Sequence, residues 1–142
     1  MITSEKIEDL AVTLLRLAVT ELPPDVKEAL KRAYEQETSE SGKTQLQAIL
    51  ENVEYAEKTR TPICQDTGTI IFYIKAGAQA KGLELFEDAL RKATIRATKE
   101  VPLRPNAVNP FTQKNSGDNT GRFIPYIPVS YTHLTLPTTP YV

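Results

Sequence analysis

Cysteine is nearly absent: Cys64 is the only one in 142 residues, so the chain can build neither an internal disulfide framework nor a metal site closed by its own cysteines. Whatever Cys64 does, it does with groups from elsewhere or as plain packing. Histidine is as scarce. His133 is the single one, and it lies in the last ten residues, which leaves a cysteine nucleophile without a base in the body of the chain. A structural zinc site, with its four ligands, cannot be assembled either. An excess of one charge is missing as well: seventeen Lys and Arg against eighteen Asp and Glu give a formal net charge of -1. No global field then draws phosphate backbones or anionic lipid, and nucleic acid is not an expected partner. No apolar run approaches the roughly 20 residues that span a bilayer. The opening MITSEKIEDL also lacks the basic and then apolar order of a signal peptide. The expectation is one cytoplasmic domain with no membrane contact, consistent with 40% hydrophobic and 25% charged residues.

What is present first is helical periodicity. Thr3 and Ser4 are candidate N-caps, Glu5 sits in the first turn, and Ile7, Leu10, Ala11, Leu14, Leu17 and Ala18 recur at helical spacing. Pro23 and Pro24 interrupt this pattern. Asp25 can cap a second helix with Val26, Ala29, Leu30, Ala33 and Tyr34 on its apolar face. After a turn at residues 39–42, Leu46, Ile49, Leu50, Val53 and Ala56 repeat the spacing, and the helix is expected to end between Lys58 and Pro62. The period then changes. Residues 69–74, Thr-Ile-Ile-Phe-Tyr-Ile, predict a short buried strand, and Leu85, Phe86, Ala89, Leu90, Ala93 and Ala97 predict a fourth helix ended by Val101-Pro102. About twenty loop residues follow, rich in Pro, Asn, Gly, Ser and Thr, and residues 123–127 can begin a second strand; loops that long are more often functional than idle. The fold class expected is α+β: an N-terminal helical bundle leading into a small β-sheet with a packed helix, in a truncated domain.

From Val129 the composition breaks. VSYTHLTLPTTPYV has four Thr, two Pro and no charge. Its string VSYTHLTLPT looks like an in-frame translation of the end sequence used in transposase-based DNA library preparation. We therefore expect residues 1–128 to be the domain, residues 129–142 to be a non-native read-through tail, and the natural chain to continue past Pro128. The bland alternative is an uncharged terminal strand with a Pro-rich end.

Two segments can carry chemistry. Thr61-Pro-Ile-Cys-Gln-Asp-Thr-Gly68 sets a thiol, an amide and a carboxylate side by side on a turn, where Pro62 stiffens the entry and Gly68 permits a tight exit. Against that stands the plainer view of Cys64 as a small packed hydrophobe. An iron-sulfur cluster sharing ligands with a segment outside the chain stays open. In Leu103-Arg-Pro-Asn-Ala-Val-Asn-Pro110 the informative member is Arg104. Its place before Pro105 biases the backbone to an extended form, from which a planar fork can meet a carboxylate; the alternative is a surface arginine capping the preceding helix. Residues 115–121 offer an Asx-turn loop or a nest of N–H groups, and not a Walker loop, because no Gly-Lys-Ser/Thr follows at the right spacing.

PICQDTGT, LRPNAVNPFTQKNSGDNTG and the three-helix lead together resemble the α subunit, or the equivalent N-terminal domain, of the class I iron-sulfur fumarate hydratase and L-tartrate dehydratase family, over roughly residues 1 to 128. The resemblance implies that Cys64 is one of three cysteines holding a 4Fe-4S cluster whose fourth iron is open to substrate and acts as a Lewis acid. It implies that Gln65 and Asp66 contact substrate, Asp66 also as the catalytic candidate that relays a proton, and that Arg104 binds a substrate carboxylate. The remaining cluster ligands are absent. The activity implied is hydration of fumarate to malate, or dehydration of L-tartrate, by a small C4 dicarboxylate hydro-lyase. The partner implied is a β subunit or a C-terminal domain of the same enzyme, within an oligomer. The 142 residues alone are expected to be inactive. A reading from another class is a non-catalytic helical binding module with a structural Cys64.

Overall fold

The structure is a computed structural model that describes residues 2–77 and 79–131. Among the described residues four α-helices and two short strands follow in the order α1 (Ser4–Thr20), α2 (Pro24–Gln36), α3 (Glu40–Thr59), β1 (Ile74–Ala76), α4 (Phe86–Glu100) and β2 (Val129–Tyr131), with a 3-10 turn at Leu83–Leu85 leading into α4. The α+β class is as the periodicities predict. Thr3 caps α1 by accepting from the Lys6 N–H at 3.3 Å, and Ser39 caps α3 in the same way through Gly42. The cap of α2 differs from the expectation. Pro23 holds the cap position, with Pro24 as the first helical residue, and Asp25 lies inside the first turn with no side chain capping the helix. Proline needs no N–H there and its fixed φ suits the first turn, which makes a side-chain cap dispensable.

The core lies between α1, α4 and the extended segment leading into β1. It comprises Ile7, Ala11 and Val12 of α1, Ile70, and Ala89, Leu90, Ala93, Ala97, Val101 and Leu103 in and after α4. Alanine at 89, 93 and 97 puts small side chains one turn apart along α4, so the α1 backbone can approach closely. Polar latches close the same interface. Arg96 reaches Glu8 (3.2 Å), Asp9 (2.7 Å) and Glu100 (2.8 Å), which holds its guanidinium firmly charged, and Arg16 donates to the Glu100 carbonyl at 3.0 Å.

Burial corrects the expected face of α1. Ile7, Ala11 and Val12 are buried, with Leu15 and Val19 packed against the core, whereas Leu10 (61% exposed), Leu14 and Leu17 face outward. The α2 helix forms a hairpin with α3, tied by a Lys27–Glu57 ion pair of 2.7 Å, and none of its residues is buried.

The two strands run parallel, Ile74 opposite Val129 and Ala76 opposite Tyr131, with α4 in the crossover between them. Pairing begins earlier than the strands proper: Ile70 and Phe72 exchange backbone hydrogen bonds with Tyr126. The predicted strand at 69–74 is thus displaced toward its C-terminal end and is half-buried instead of buried. Ile70 is in the core and Phe72 and Ile74 pack on it, while Ile71 and Tyr73 face out. The second strand starts at Val129, after the expected 123–127. Residues 129–131 of the expected tail thus pair with β1, and residues 132–142, including His133, lie outside the described residues. Among the described residues no helix is long and apolar enough to cross a membrane.

Candidate functional site

The cysteine turn is fixed from two sides before it reaches Cys64. Helix α3 ends where Arg60 takes a left-handed conformation (φ 56°), and the chain passes Thr61 and Pro62 into the turn. The Ile63 N–H donates to the Val19 carbonyl at the end of α1 (2.9 Å), and the Ile63 carbonyl accepts from the Asn52 side chain of α3 (2.8 Å). Both backbone polar groups of Ile63, the residue before the thiol, are therefore committed to helices. Cys64 itself is exposed, and its thiol makes one weak contact, donating to the Asp66 carbonyl at 3.3 Å. The exit requires glycine: Gly68 has φ 73°, and its N–H donates to Asp66 Oδ1 at 3.4 Å.

The segment after α4 comes to meet this turn. The Arg104 N–H donates to Thr67 Oγ1 at 3.0 Å, and the Asn106 side chain donates to Asp66 Oδ1 (3.3 Å) and to the Gly68 carbonyl (3.1 Å). A cleft of about 670 Å³ opens where the segments join, lined by Cys64, Gln65, Thr67 and Arg104, with Pro62, Ile63, Pro102 and Leu103 as its apolar walls. Three of the four residues singled out in the sequence, Cys64, Gln65 and Arg104, thus share one cleft. The fourth, Asp66, is exposed next to it, its carboxylate held by Asn106 and Gly68 and not lining the cleft. The Arg104 side chain is exposed and its guanidinium has no hydrogen bond or ion pair among the described residues. It is not a helix cap; the carbonyls at the end of α4 are served by Arg16 and by the backbone N–H groups of Val101 and Leu103.

The long loop is an Asx-turn scaffold. Asn109 Oδ1 accepts from the N–H groups of Phe111 and Thr112, Asn115 Oδ1 accepts from Gly117, and the Asn115 amide donates to the Pro105 carbonyl at 2.8 Å. Asp118 takes hydrogen bonds from the hydroxyl and amide of Thr120. Burial pushes its carboxyl up, but these bonds and Ser116 outweigh burial and hold it below the ordinary carboxylate range. The residue that sequence reasoning missed is Asn119. It is 3% exposed and hydrogen-bonded to three partners, yet asparagine within Asp-Asn-Thr-Gly reads as ordinary turn chemistry.

With this geometry in hand, comparison with known proteins decides the family. The family described as Fumarate hydratase (Fumerase) matches residues 8–139. The chain belongs to the fumarate hydratase family. Its relatives include a Methanocaldococcus jannaschii protein named "Putative L(+)-tartrate dehydratase subunit alpha", 43% identical over 128 residues, covering 89% of this chain and 45% of that protein. The Escherichia coli K12 protein named L(+)-tartrate dehydratase subunit alpha is 34% identical over 122 residues, covering 86% of this chain and 40% of the relative. The chain thus spans less than half the length of the curated relatives it matches.

An iron-sulfur cluster, implied by the fumarate hydratase resemblance, can be tested against the donors. An exposed thiol at the wall of a cleft, committed to one weak hydrogen bond, suits a single thiolate ligand. Among the described residues no three His, Cys, Asp or Glu side chains gather to hold a metal ion, so Cys64 fits as one ligand of a set completed elsewhere.

Proposed function

We propose that this protein contributes one wall of the active site of a hydro-lyase acting on a C4 2-hydroxy dicarboxylate, with fumarate and malate as the reacting pair. The observation that carries this reading is the cleft in which Cys64, Gln65 and Arg104 stand together. A thiolate ligand, a neutral donor and an unpaired guanidinium are suited to a small dianion. The family description, Fumarate hydratase (Fumerase), supports the reaction class.

The chemistry needs no net electron transfer: one C–H and one C–O bond break, and the proton and hydroxide leave as water. Cys64 would hold a 4Fe-4S cluster as one of its ligands, and the group would supply Lewis acidity there when bound. The chain's own residues do the rest of what this wall can do. Arg104 meets a carboxylate with its planar fork and fixes the substrate's orientation. Gln65 donates to a carboxylate oxygen without adding charge. Asp66, held by Asn106 and Gly68, keeps an acceptor beside the cleft through which a proton can pass. Pro62 and Leu103 form the apolar part of the wall beside Arg104. The partner completing the site is a β subunit or a further domain of the same protein, since both relatives are named as alpha subunits.

L-tartrate is the second reading, favoured by the names of both relatives. The experiment is a protein extended to the relatives' length, combined with its partner chain and reconstituted with iron and sulfide without oxygen. It should be brown, hydrate fumarate, and lose colour and activity on Cys64→Ala. An ordinary rate of hydration by the Cys64→Ala protein overturns the reading. Turnover of L-tartrate alone replaces fumarate by tartrate.

A further inference from the structure

We propose that Asn119 is a positioning residue for the carboxylate-binding side of the cleft, holding the Arg104 and Asp66 segments in register with Cys64. The inference rests on the reading of Arg104 as the carboxylate receptor. Asn119 Oδ1 accepts from the Asn106 N–H at 2.7 Å, and its amide nitrogen donates to the Arg104 carbonyl at 3.0 Å and to Thr98 Oγ1 at 3.1 Å. Thr98 is a buried residue inside α4, with its hydroxyl 2.8 Å from the Thr94 carbonyl. One amide therefore connects a rigid helix to two points of the loop that faces the cysteine turn. From those points the bonds continue. The Arg104 N–H goes to Thr67, and the Asn106 side chain goes to Asp66 and Gly68. The Arg104 peptide is thereby gripped on both sides, its N–H by the cysteine turn and its carbonyl by Asn119, while the guanidinium stays open to a ligand. Asn119 sits at φ 60°, a conformation asparagine tolerates better than most residues, and its side chain both donates and accepts. The other asparagines of the loop cannot substitute. Asn115 reaches only the loop's own Pro105 carbonyl and Gly117 N–H, and neither bond leads to α4.

A merely structural Asn119 affects stability and leaves the charge preference of the cleft alone. Cys64 reports that preference. In the 142-residue chain at low ionic strength, its alkylation by anionic iodoacetate is compared with that by neutral iodoacetamide, and the ratio of the two rates cancels changes in thiol reactivity and access. Arg104→Gln should lower this ratio by about two- to threefold, the effect of one charge at a distance of several ångströms in water. Asn119→Gly suits the positive φ but removes all three hydrogen bonds, and it should lower the ratio by a similar factor. Thr98→Val, which removes the α4 hydroxyl that meets Asn119 and the Asp118 carbonyl but leaves the Asn119 bonds to Asn106 and Arg104, should lower it less. If Arg104→Gln lowers the ratio and Asn119→Gly keeps the original value, the positioning role is overturned. If Arg104→Gln itself changes nothing, the carboxylate reading of Arg104 fails and takes the proposal with it. Should Asn119→Gly not fold, Thr98→Val carries the test, and an original ratio there overturns the proposal. Should both variants unfold, amide exchange of the original chain decides. An Asn106 N–H that exchanges as fast as an exposed loop amide overturns it.

Discussion

Arg104 is a long, flexible side chain on a fixed base: its N–H is bound by Thr67 and its carbonyl by Asn119, so in the proposed site only the side-chain torsions are left to fix when a carboxylate arrives. A lysine placed there keeps the charge and loses the fork. In a protein extended to the relatives' length and combined with its partner, Arg104→Lys should reduce kcat/KM for the dicarboxylate by about two orders of magnitude, or about 2.7 kcal/mol of transition-state stabilisation. Steady-state kinetics checks this, and an unchanged kcat/KM removes Arg104 from the site. Asp118 gives a pH prediction at the same scale. Its folded carboxyl lies below the ordinary value of 3.8, so its contribution to stability is present above that value and is lost as pH falls through the lower folded value. The melting temperature of the original chain should therefore exceed that of Asp118→Asn at about pH 5, and the gap should close toward about pH 2. A gap that widens on acidification contradicts the hydrogen-bonded carboxylate.

At the scale of elements, the informative case is α1, which has two apolar stripes and buries one. Ile7, Ala11 and Val12 lie in the core with Leu15 and Val19 packed against it, and Leu10, Leu14 and Leu17 are exposed. Ile7→Ala should cost about 2–4 kcal/mol, as a cavity in the core does. Leu14→Glu should change stability by less than about 0.5 kcal/mol, as surface replacements do. Chemical denaturation of the two variants separates them, and the reverse order would place the leucine stripe in the core. Ala93→Leu adds volume at a fully buried core position of α4 and should cost about 1–3 kcal/mol. These contrasts also mark what was legible in the sequence. The cap of α1, the proline stops and the end of α3 were, because they are local, whereas the cap of α2 was not. The meeting of Cys64, Gln65 and Arg104 was legible only through the family resemblance, since no spacing rule brings residues forty apart together. The buried stripe of α1 was not legible, because period alone cannot say which of two apolar faces finds a partner. The strand displacement was not either. A run of six β-branched and aromatic residues fits several registers, and the choice falls to backbone bonds with Tyr126 and Pro128. Asn119 was hidden for the opposite reason, since its type suits a turn so well that burial and long-range bonding are invisible.

At the scale of the whole molecule, the proposed reading makes the described residues one side of a site. Large apolar groups stand out from them, Phe111 at 92% and Tyr73 at 82% exposure, and the cleft carries a single cysteine sulfur. One thiolate cannot retain four irons against exchange, because each additional ligand on the same scaffold is what makes loss of the others reversible. The 142-residue chain, supplied with iron and sulfide without oxygen and then desalted, should therefore emerge colourless and with far less than one cluster per chain. The protein extended to the relatives' length should keep its colour through the same column and bleach in air, since an iron open to substrate is open to oxidants. Iron and sulfide analysis of the two eluates, beside their visible spectra, is the measurement. If the short chain retains about four irons and four sulfides with a cluster's visible absorption, the other ligands lie within these 142 residues, and the assignment of Cys64 as one member of a set completed elsewhere is wrong.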